Sequence, residues 1–267
     1  MSKFAAPRKS LGQNFLQDPN IINKIVSALA VGSADTVMEI GPGRGALTEQ
    51  LLSASPDLHL VEFDHDLVEY WQGRQQLISN LTIHAADILK FDVQTVIDHA
   101  DKPLKVIGNL PYNISTPVLF HLMKYAESVH FQVVMLQKEV VQRICASPGG
   151  KQYGRLSVML QQRYEIEYLF TVPPGAFFPP PKVESAIARL TPLAVVKHPV
   201  NDALVFEQVV KQAFSQRRKT LRNTLKGLLT ADQIESLGIN SAARAETLTV
   251  EEFTVLANAR ALFEDKC

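Results

Sequence analysis

The 267-residue chain has little of several things that would narrow its class at once. Only two cysteines occur, Cys145 and Cys267, at a spacing that suits neither a disulfide framework nor a metal knuckle. No metal centre is therefore expected, and a reducing cytoplasm is the default setting. Neither sign of charge prevails: 27 Lys and Arg face 27 Asp and Glu, so any polyanion-binding patch has to be local. No apolar run approaches the ~18 residues of a membrane span, and the first residues lack the apolar core of a secretory signal, so no membrane partner is expected. Internal repeats and low-complexity stretches are absent. What remains is ordinary globular composition, 46% hydrophobic and 20% charged. The length predicts one large domain, or one large and one small.

The stretches that are present alternate. Thr36-Val37-Met38-Glu39-Ile40 reads as a strand running into Gly41-Pro42-Gly43-Arg44-Gly45-Ala46-Leu47-Thr48, after which Leu47, Leu51 and Leu52 mark a helix. Glycines there let a ligand approach the backbone, and the helix start offers free N–H groups. About twenty residues past the first glycine, Leu58 to Asp64 reads as a second strand, and Glu62 stands where a ribose diol is usually gripped. Leu81 to Leu89 places Asp87 at the end of a third, as an acceptor for an adenine amino group. Leu104, Val106 and Ile107 form a fourth that closes on Gly108-Asn109-Leu110-Pro111-Tyr112-Asn113, and Phe131 to Gln137 forms a fifth, with a helix from about Lys138. This pattern predicts a doubly wound, mainly parallel sheet with ligands at the carboxyl ends of its strands. Gly41, Glu62, Asp87 and Asn109 all fall on that edge.

The Asn-Leu-Pro-Tyr turn suits a planar amine. The Asn109 side-chain oxygen and the Leu110 carbonyl would accept from an amino group, Pro111 would stiffen the bend, and the Tyr112 ring would stack on the flat ring bearing it. Near the N-terminus, Lys3, Arg8 and Lys9 form a basic arm, and Gln13-Asn14-Phe15-Leu16 alone reads as a loop that plugs the core. Asp18-Pro19 then opens a helix with Ile21, Ile22, Ile25, Val26 and Leu29 at helical spacing. Further on, Leu156 to Tyr164 reads as a buried helix and Val172 to Val183 as a stiff, proline-rich ribbon. On it Phe177 is a candidate second stacking ring opposite Tyr112, whereas Phe178 reads as part of a connector. Ser185 to Leu190 reads as a last strand, followed by a linker around residues 191–199. The remainder has helical periodicity. From Lys211 to Lys226 it carries Lys211, Arg217, Arg218, Lys219, Arg222 and Lys226 with no acid. Arg218, Arg222 and Lys226, four apart, are expected to form one helical stripe for phosphate backbone.

Taken together, Leu11 to Leu16, Glu39 to Thr48, Glu62-Phe63-Asp64, Asp87, Asn109 to Ser115, Leu136 to Val140, Tyr153 to Ser157, Phe177 to Val183 and Gln216 to Asn223 closely resemble the KsgA (RsmA) family of small-subunit ribosomal RNA adenine dimethyltransferases. The resemblance covers nearly the whole chain. It implies a Rossmann-like class I S-adenosylmethionine-dependent methyltransferase domain over residues 1–192, with the basic arm, and a small all-α RNA-binding domain over 193–267. It implies that Asn14 and Leu16 touch S-adenosylmethionine, which reverses the loop reading of the arm. Gly41, Gly43 and Gly45 would receive its methionine part, Glu62 its ribose and Asp87 its adenine, and Asn109 would border cofactor and target. Tyr112, Phe177, Arg217, Arg218, Lys219 and Arg222 would contact RNA. The implied reaction is double N6-methylation of two adjacent adenosines in a hairpin near the 3′ end of 16S rRNA in the immature small subunit, by a monomer. A catalytic group of Asn109, Leu110, Pro111 and Tyr112 would hold the amine in line with the methyl group, without a general base. An Erm-type 23S rRNA methyltransferase is the nearest alternative, and a ribosome-assembly binding factor with incidental methylation is another. A nicotinamide-dependent dehydrogenase fits less well, because Gly41-x-Gly43-x-Gly45 lacks the second spacing.

Overall fold

The computed structural model describes residues 7–8, 12–54, 57–100, 103–196 and 198–264. Lys3, Lys9, Leu11 and Cys267, named above, lie outside them. In chain order the elements are β1 (Phe15–Leu16), α1 (Pro19–Leu29), β2 (Thr36–Ile40), α2 (Thr48–Ala54), β3 (Asp57–Glu62), α3 (His65–Gln75), β4 (Leu81–Ala85), α4 (Gln94–Ile97), β5 (Leu104–Asn109), α5 (Ser115–Met123), β6 (Val129–Gln137) and α6 (Lys138–Ile144). They continue with α7 (Arg155–Gln161), β7 (Tyr164–Val172), β8 (Phe177–Phe178), β9 (Ser185–Pro192), α8 (Ala203–Ala213), α9 (Leu221–Thr224), α10 (Ala231–Ser236) and α11 (Val250–Glu264).

Seven strands form one sheet in the order β4-β3-β2-β5-β6-β9-β7. The pairs among β4, β3, β2, β5 and β6 are parallel, and β9 runs antiparallel to β6. A strand covered on both faces needs a continuous apolar run, and β2, β5 and β6 are buried along nearly their whole length. Their polar interior residues are paired: Lys105 Nζ, on β5, donates to Asp35 Oδ2 and to the Ala30 carbonyl, both at 2.7 Å. Asp18 caps α1 by accepting from the Asn20 and Ile21 amides, with Pro19 in the first turn, as its sequence predicts. Because β3 and β4 lie on one side of β2 and β5 on the other, the chain reverses direction between β2 and β5. That reversal opens a crevice beyond their carboxyl ends.

The chain divides into two compact units, residues 1–141 with 166–192 and residues 142–165 with 193–267. The second is therefore not the single C-terminal span expected from sequence. Residues 142–165 belong to it because α7 buries Leu156, Val158, Met159 and Leu160 and packs on α8 and α11. Within this unit Tyr153, Phe214 and Phe253 form a chain of ring contacts, and Phe206, Val209 and Leu256 fill the core around α8 and α11.

Two local expectations are corrected. Strand β7 occupies Tyr164–Val172, between the expected helix, which was to end at Tyr164, and the ribbon, which was to start at Val172; Glu165 and Glu167 alternating with Tyr164 and Ile166 suit a sheet edge with one solvated face. The basic run is not one helix: α8 ends at Ala213, residues 214–219 form turns, and α9 restarts after Thr220. Arg218 therefore lies on a turn and Arg222 on a short helix, so they do not share a helical stripe.

Candidate active site

The crevice holds a pocket of about 270 Å³, close to the ~300 Å³ lower end of small-molecule sites. Strand register places its parts. Ile40 pairs with Val61 on one side and Gly108 on the other, Glu62 with Ala85, and Asn109 with Met135, so four strands end together. At or just beyond those ends Gly41, Glu62, Asp87 and Asn109 all line the pocket, and Asn14 and Leu16 from the arm form another wall.

Beyond β2 the glycine loop takes three left-handed turns, at Gly41, Gly43 and Gly45. Gly41 and Gly43 face the pocket. Gly45 stands behind them: at φ +89° it passes so close to the buried Trp71 that a Cβ would lie 2.8 Å from the indole. The indole Nε1 in turn donates to the Gly43 carbonyl at 3.0 Å, and the ring props the loop from behind.

Glu62 is largely committed. Its Oε1 accepts from the Phe63 and Asp64 amides at 2.8 and 2.9 Å, and Oε2 accepts from Gly43 at 3.2 Å. Of roughly four lone-pair sites on a carboxylate, three are thus occupied. Gripping both hydroxyls of a diol requires displacing the longest of these bonds, the one to Gly43. Burial raises the Glu62 pKa, and the same backbone donors oppose the rise. Asp87 is half-buried; its Oδ1 accepts from the Leu89 amide at 3.0 Å, and Oδ2 has no partner among the described residues.

Asn109 Nδ2 donates to the Asn14 carbonyl at 2.9 Å. Anchoring the amide nitrogen this way turns Oδ1, the acceptor, to the opposite side. Leu110 is fully buried and its amide donates to the Met135 carbonyl, so the following turn starts from a fixed point. The turn closes with the Ile114 amide donating to the Pro111 carbonyl. The Tyr112 hydroxyl lies 2.6 Å from Ser185 Oγ, which fixes the ring plane. Burial holds the phenol above its ordinary pKa, with the Ser185 hydrogen bond opposing, so it stays neutral.

Phe177 does not offer a stacking face here. It pairs with Leu16 across the two-stranded β1·β8 ladder and is 4% exposed within the apolar core, while Phe178 opposite Phe15 is 51% exposed. The alternation of a ladder sends neighbouring side chains to opposite faces. The expected stacking role of Phe177 is corrected accordingly. Arg218, Lys219 and Arg222 are exposed without an ion pair to a described residue, but Arg217 donates to Glu246 and to the Lys151 carbonyl. Arg217 fastens the turn that carries Arg218 and Lys219.

Several pocket residues were missed. Phe63 (65% exposed) and Ile88 line it as apolar walls beside Glu62 and Asp87. Their signal was position alone, one residue past each acid. Glu39, on β2, is 2% exposed, accepts from Thr48 Oγ1 at 2.7 Å, and has its pKa pushed up to about 8, chiefly by burial. Among the described residues no group of acids, histidines and cysteines has the arrangement of a metal site, and no helix is long and apolar enough to cross a membrane.

A family model described as ribosomal RNA adenine dimethylase matches residues 5–261. The chain is 50% identical to the ribosomal RNA small subunit methyltransferase A of Pseudomonas syringae over 94% of its length and 93% of the relative's. Among solved structures it is similar to a dimethyladenosine transferase from Plasmodium falciparum, with TM-score 0.79 and 25% identity over 94% of this chain and 98% of that one. It shares its fold with the 23S rRNA methyltransferase ErmE, with TM-score 0.70 and 22% identity over 93% of this chain and all of the other.

Proposed function

The chain belongs to the ribosomal RNA adenine dimethylase family, and from that premise we propose that it transfers two methyl groups to N6 of each of two adjacent adenosines in a hairpin near the 3′ end of 16S rRNA. It would act as a cytoplasmic monomer on the immature small subunit, with S-adenosylmethionine as donor. The observation that carries this reading is the anchored amide of Asn109, in a pocket that Tyr112 also lines.

The pocket residues fit the donor. Asp87 Oδ2 is open to an adenine amino group, Phe63 and Ile88 flank that position, Glu62 keeps one acceptor site for the ribose, and Gly41 and Gly43 bring backbone close to the remainder. Asn14 and Leu16 complete the wall. When bound, S-adenosylmethionine supplies a methyl group activated by its sulfonium charge.

The protein's task is positioning. The N6 lone pair of adenine is delocalised into the ring and is a poor nucleophile. Asn109 Oδ1 and the Leu110 carbonyl would accept its two N–H groups, favouring a pyramidal nitrogen with its lone pair aimed into the pocket. Positioning of this kind supplies up to ~7–11 kcal/mol of a barrier. Tyr112 stacking offsets the few kcal/mol spent extracting the base. The methylated nitrogen becomes cationic and loses its proton to water, so no general base is needed. Arg218, Lys219 and Arg222 would meet phosphates, with Arg217 holding the turn of the first two in place.

The test is incubation with labelled S-adenosylmethionine of immature small subunits beside large-subunit RNA. Label is expected as dimethyladenosine in the small-subunit RNA alone; label confined to large-subunit RNA would replace this reading with the Erm-type one.

A further inference from the structure

Two consecutive residues of the arm are tied to opposite banks of the crevice. On one bank Gln13 Nε2 donates to Asp64 Oδ2 at 2.7 Å, and an Arg8 guanidinium nitrogen donates to Asp64 Oδ1 at 2.9 Å. The other terminal nitrogen of Arg8 reaches Asp66 at 2.6 Å, and the Arg8 amide donates to Gln13 Oε1 at 2.8 Å. On the other bank the Asn14 carbonyl accepts from Asn109. Asp64 is 5% exposed, and its own amide donates to Glu62. Hydrogen bonds therefore link Glu62 to Asp64 and Asp64 to Gln13, and Asn14, the next residue along the chain, is bonded in turn to Asn109. Charge-assisted bonds to a carboxylate this buried are the strong kind.

We propose that Arg8, Gln13 and Asp64 form a clamp that retains the donor and couples its retention to the orientation of Asn109. Arg8 and Gln13 are positioning residues in this scheme, acting through Asp64 and Asn14. A donor held at Glu62 and reaching toward Asn109 lies between the two ties, with the arm as one wall, and leaves when a tie breaks. The Asn109 amide is aimed only while the Asn14 carbonyl is in place. Loosening the Asp64 side therefore costs donor affinity and, separately, turnover. The inference rests on the methyltransferase reading above.

The test uses the full chain and S-adenosylhomocysteine, with affinity measured by calorimetry and release by stopped flow, beside turnover at saturating donor. Arg8→Ala is expected to raise Kd about 3- to 10-fold, as for loss of a partly exposed charge-assisted pair. Gln13→Glu, which sets one carboxylate against another, should raise it by about 10-fold or more and lower kcat. Combining Gln13→Glu with Asp64→Asn restores a donor and an acceptor with their direction reversed, and both readouts should return most of the way to wild type. Wild-type values in both single variants, or a pair no better than Gln13→Glu alone, would overturn the clamp. If Gln13→Glu fails to fold, Arg8→Ala decides by the same criterion. Wild-type protein that does not bind S-adenosylhomocysteine would sink the functional reading itself, whereas a binding wild type with unaffected variants sinks only the clamp.

Discussion

Asn109 makes one side-chain tie, to a backbone carbonyl, and that asymmetry separates its chemistry from its structural weight. Asn109→Ala is expected to lower methyl transfer by at least ~100-fold, comparable to removing a positioned polar group from an active site, while costing only about 1 kcal/mol of stability. Turnover with labelled donor beside a denaturant midpoint checks both halves. Glu39 gives a pH signature. Its folded pKa of about 8 lies above the ordinary 4.5, so between those values the folded chain keeps a proton that the unfolded chain has lost. Its stabilising contribution is complete below 4.5 and is lost as pH rises toward 8, at up to ~1.4 kcal/mol per pH unit. Glu62, also raised by burial, contributes with the same sign. The difference between wild type and Glu39→Gln across pH 5 to 8 therefore isolates Glu39: the variant should show the shallower decline in denaturant midpoint.

The parallel strands were readable because burial on both faces demands unbroken apolar runs, and the glycine loop because its left-handed turns demand glycine. Elements whose cause is distant were not. The β1·β8 ladder joins two dipeptides far apart in the chain, β7 has the mixed pattern of an edge, and the break between α8 and α9 depends on Leu221 and Arg222 amides meeting the Ala243 and Ser241 carbonyls. For the same reason the sequence named the acids Glu62 and Asp87 but not the packing of Gly45 on Trp71, nor that Phe177, expected opposite Tyr112, lies in the apolar core. Where β2 and β5 meet, Gly108 faces Ile40, and a Cβ there would lie 2.9 Å from the Ile40 carbonyl oxygen. Backbone cannot retreat as a side-chain tip can. Gly108→Ala is expected to destabilise by about 1–3 kcal/mol and to weaken S-adenosylhomocysteine binding, because it pries apart the strands whose ends frame the pocket. Chemical denaturation and calorimetry measure the two effects.

The whole chain is neutral, so the proposed contact with a polyanion would rest on a local group of cations such as Arg218, Lys219 and Arg222. Replacing Arg218 and Arg222 together by Gln should weaken RNA binding and reduce the slope of log K against log salt by about 1.5, leaving S-adenosylhomocysteine affinity unchanged; titration by fluorescence anisotropy at several salt concentrations reads this directly. Arg217→Ala should instead lower stability, since its partners are Glu246 and the Lys151 carbonyl. The interrupted second unit also has a consequence for the order in which the chain is made. Residues 142–165 leave the translating ribosome before β9, yet α7 packs on α8 and α11, which emerge last. Through that interval α7, though bonded to the preceding residues 143–146, lacks the partners α8 and α11 for its apolar side chains. Stopping translation at Pro192 should therefore release no tidy catalytic half but a sticky fragment, visible by light scattering, whose quality depends on the last residues to be synthesised.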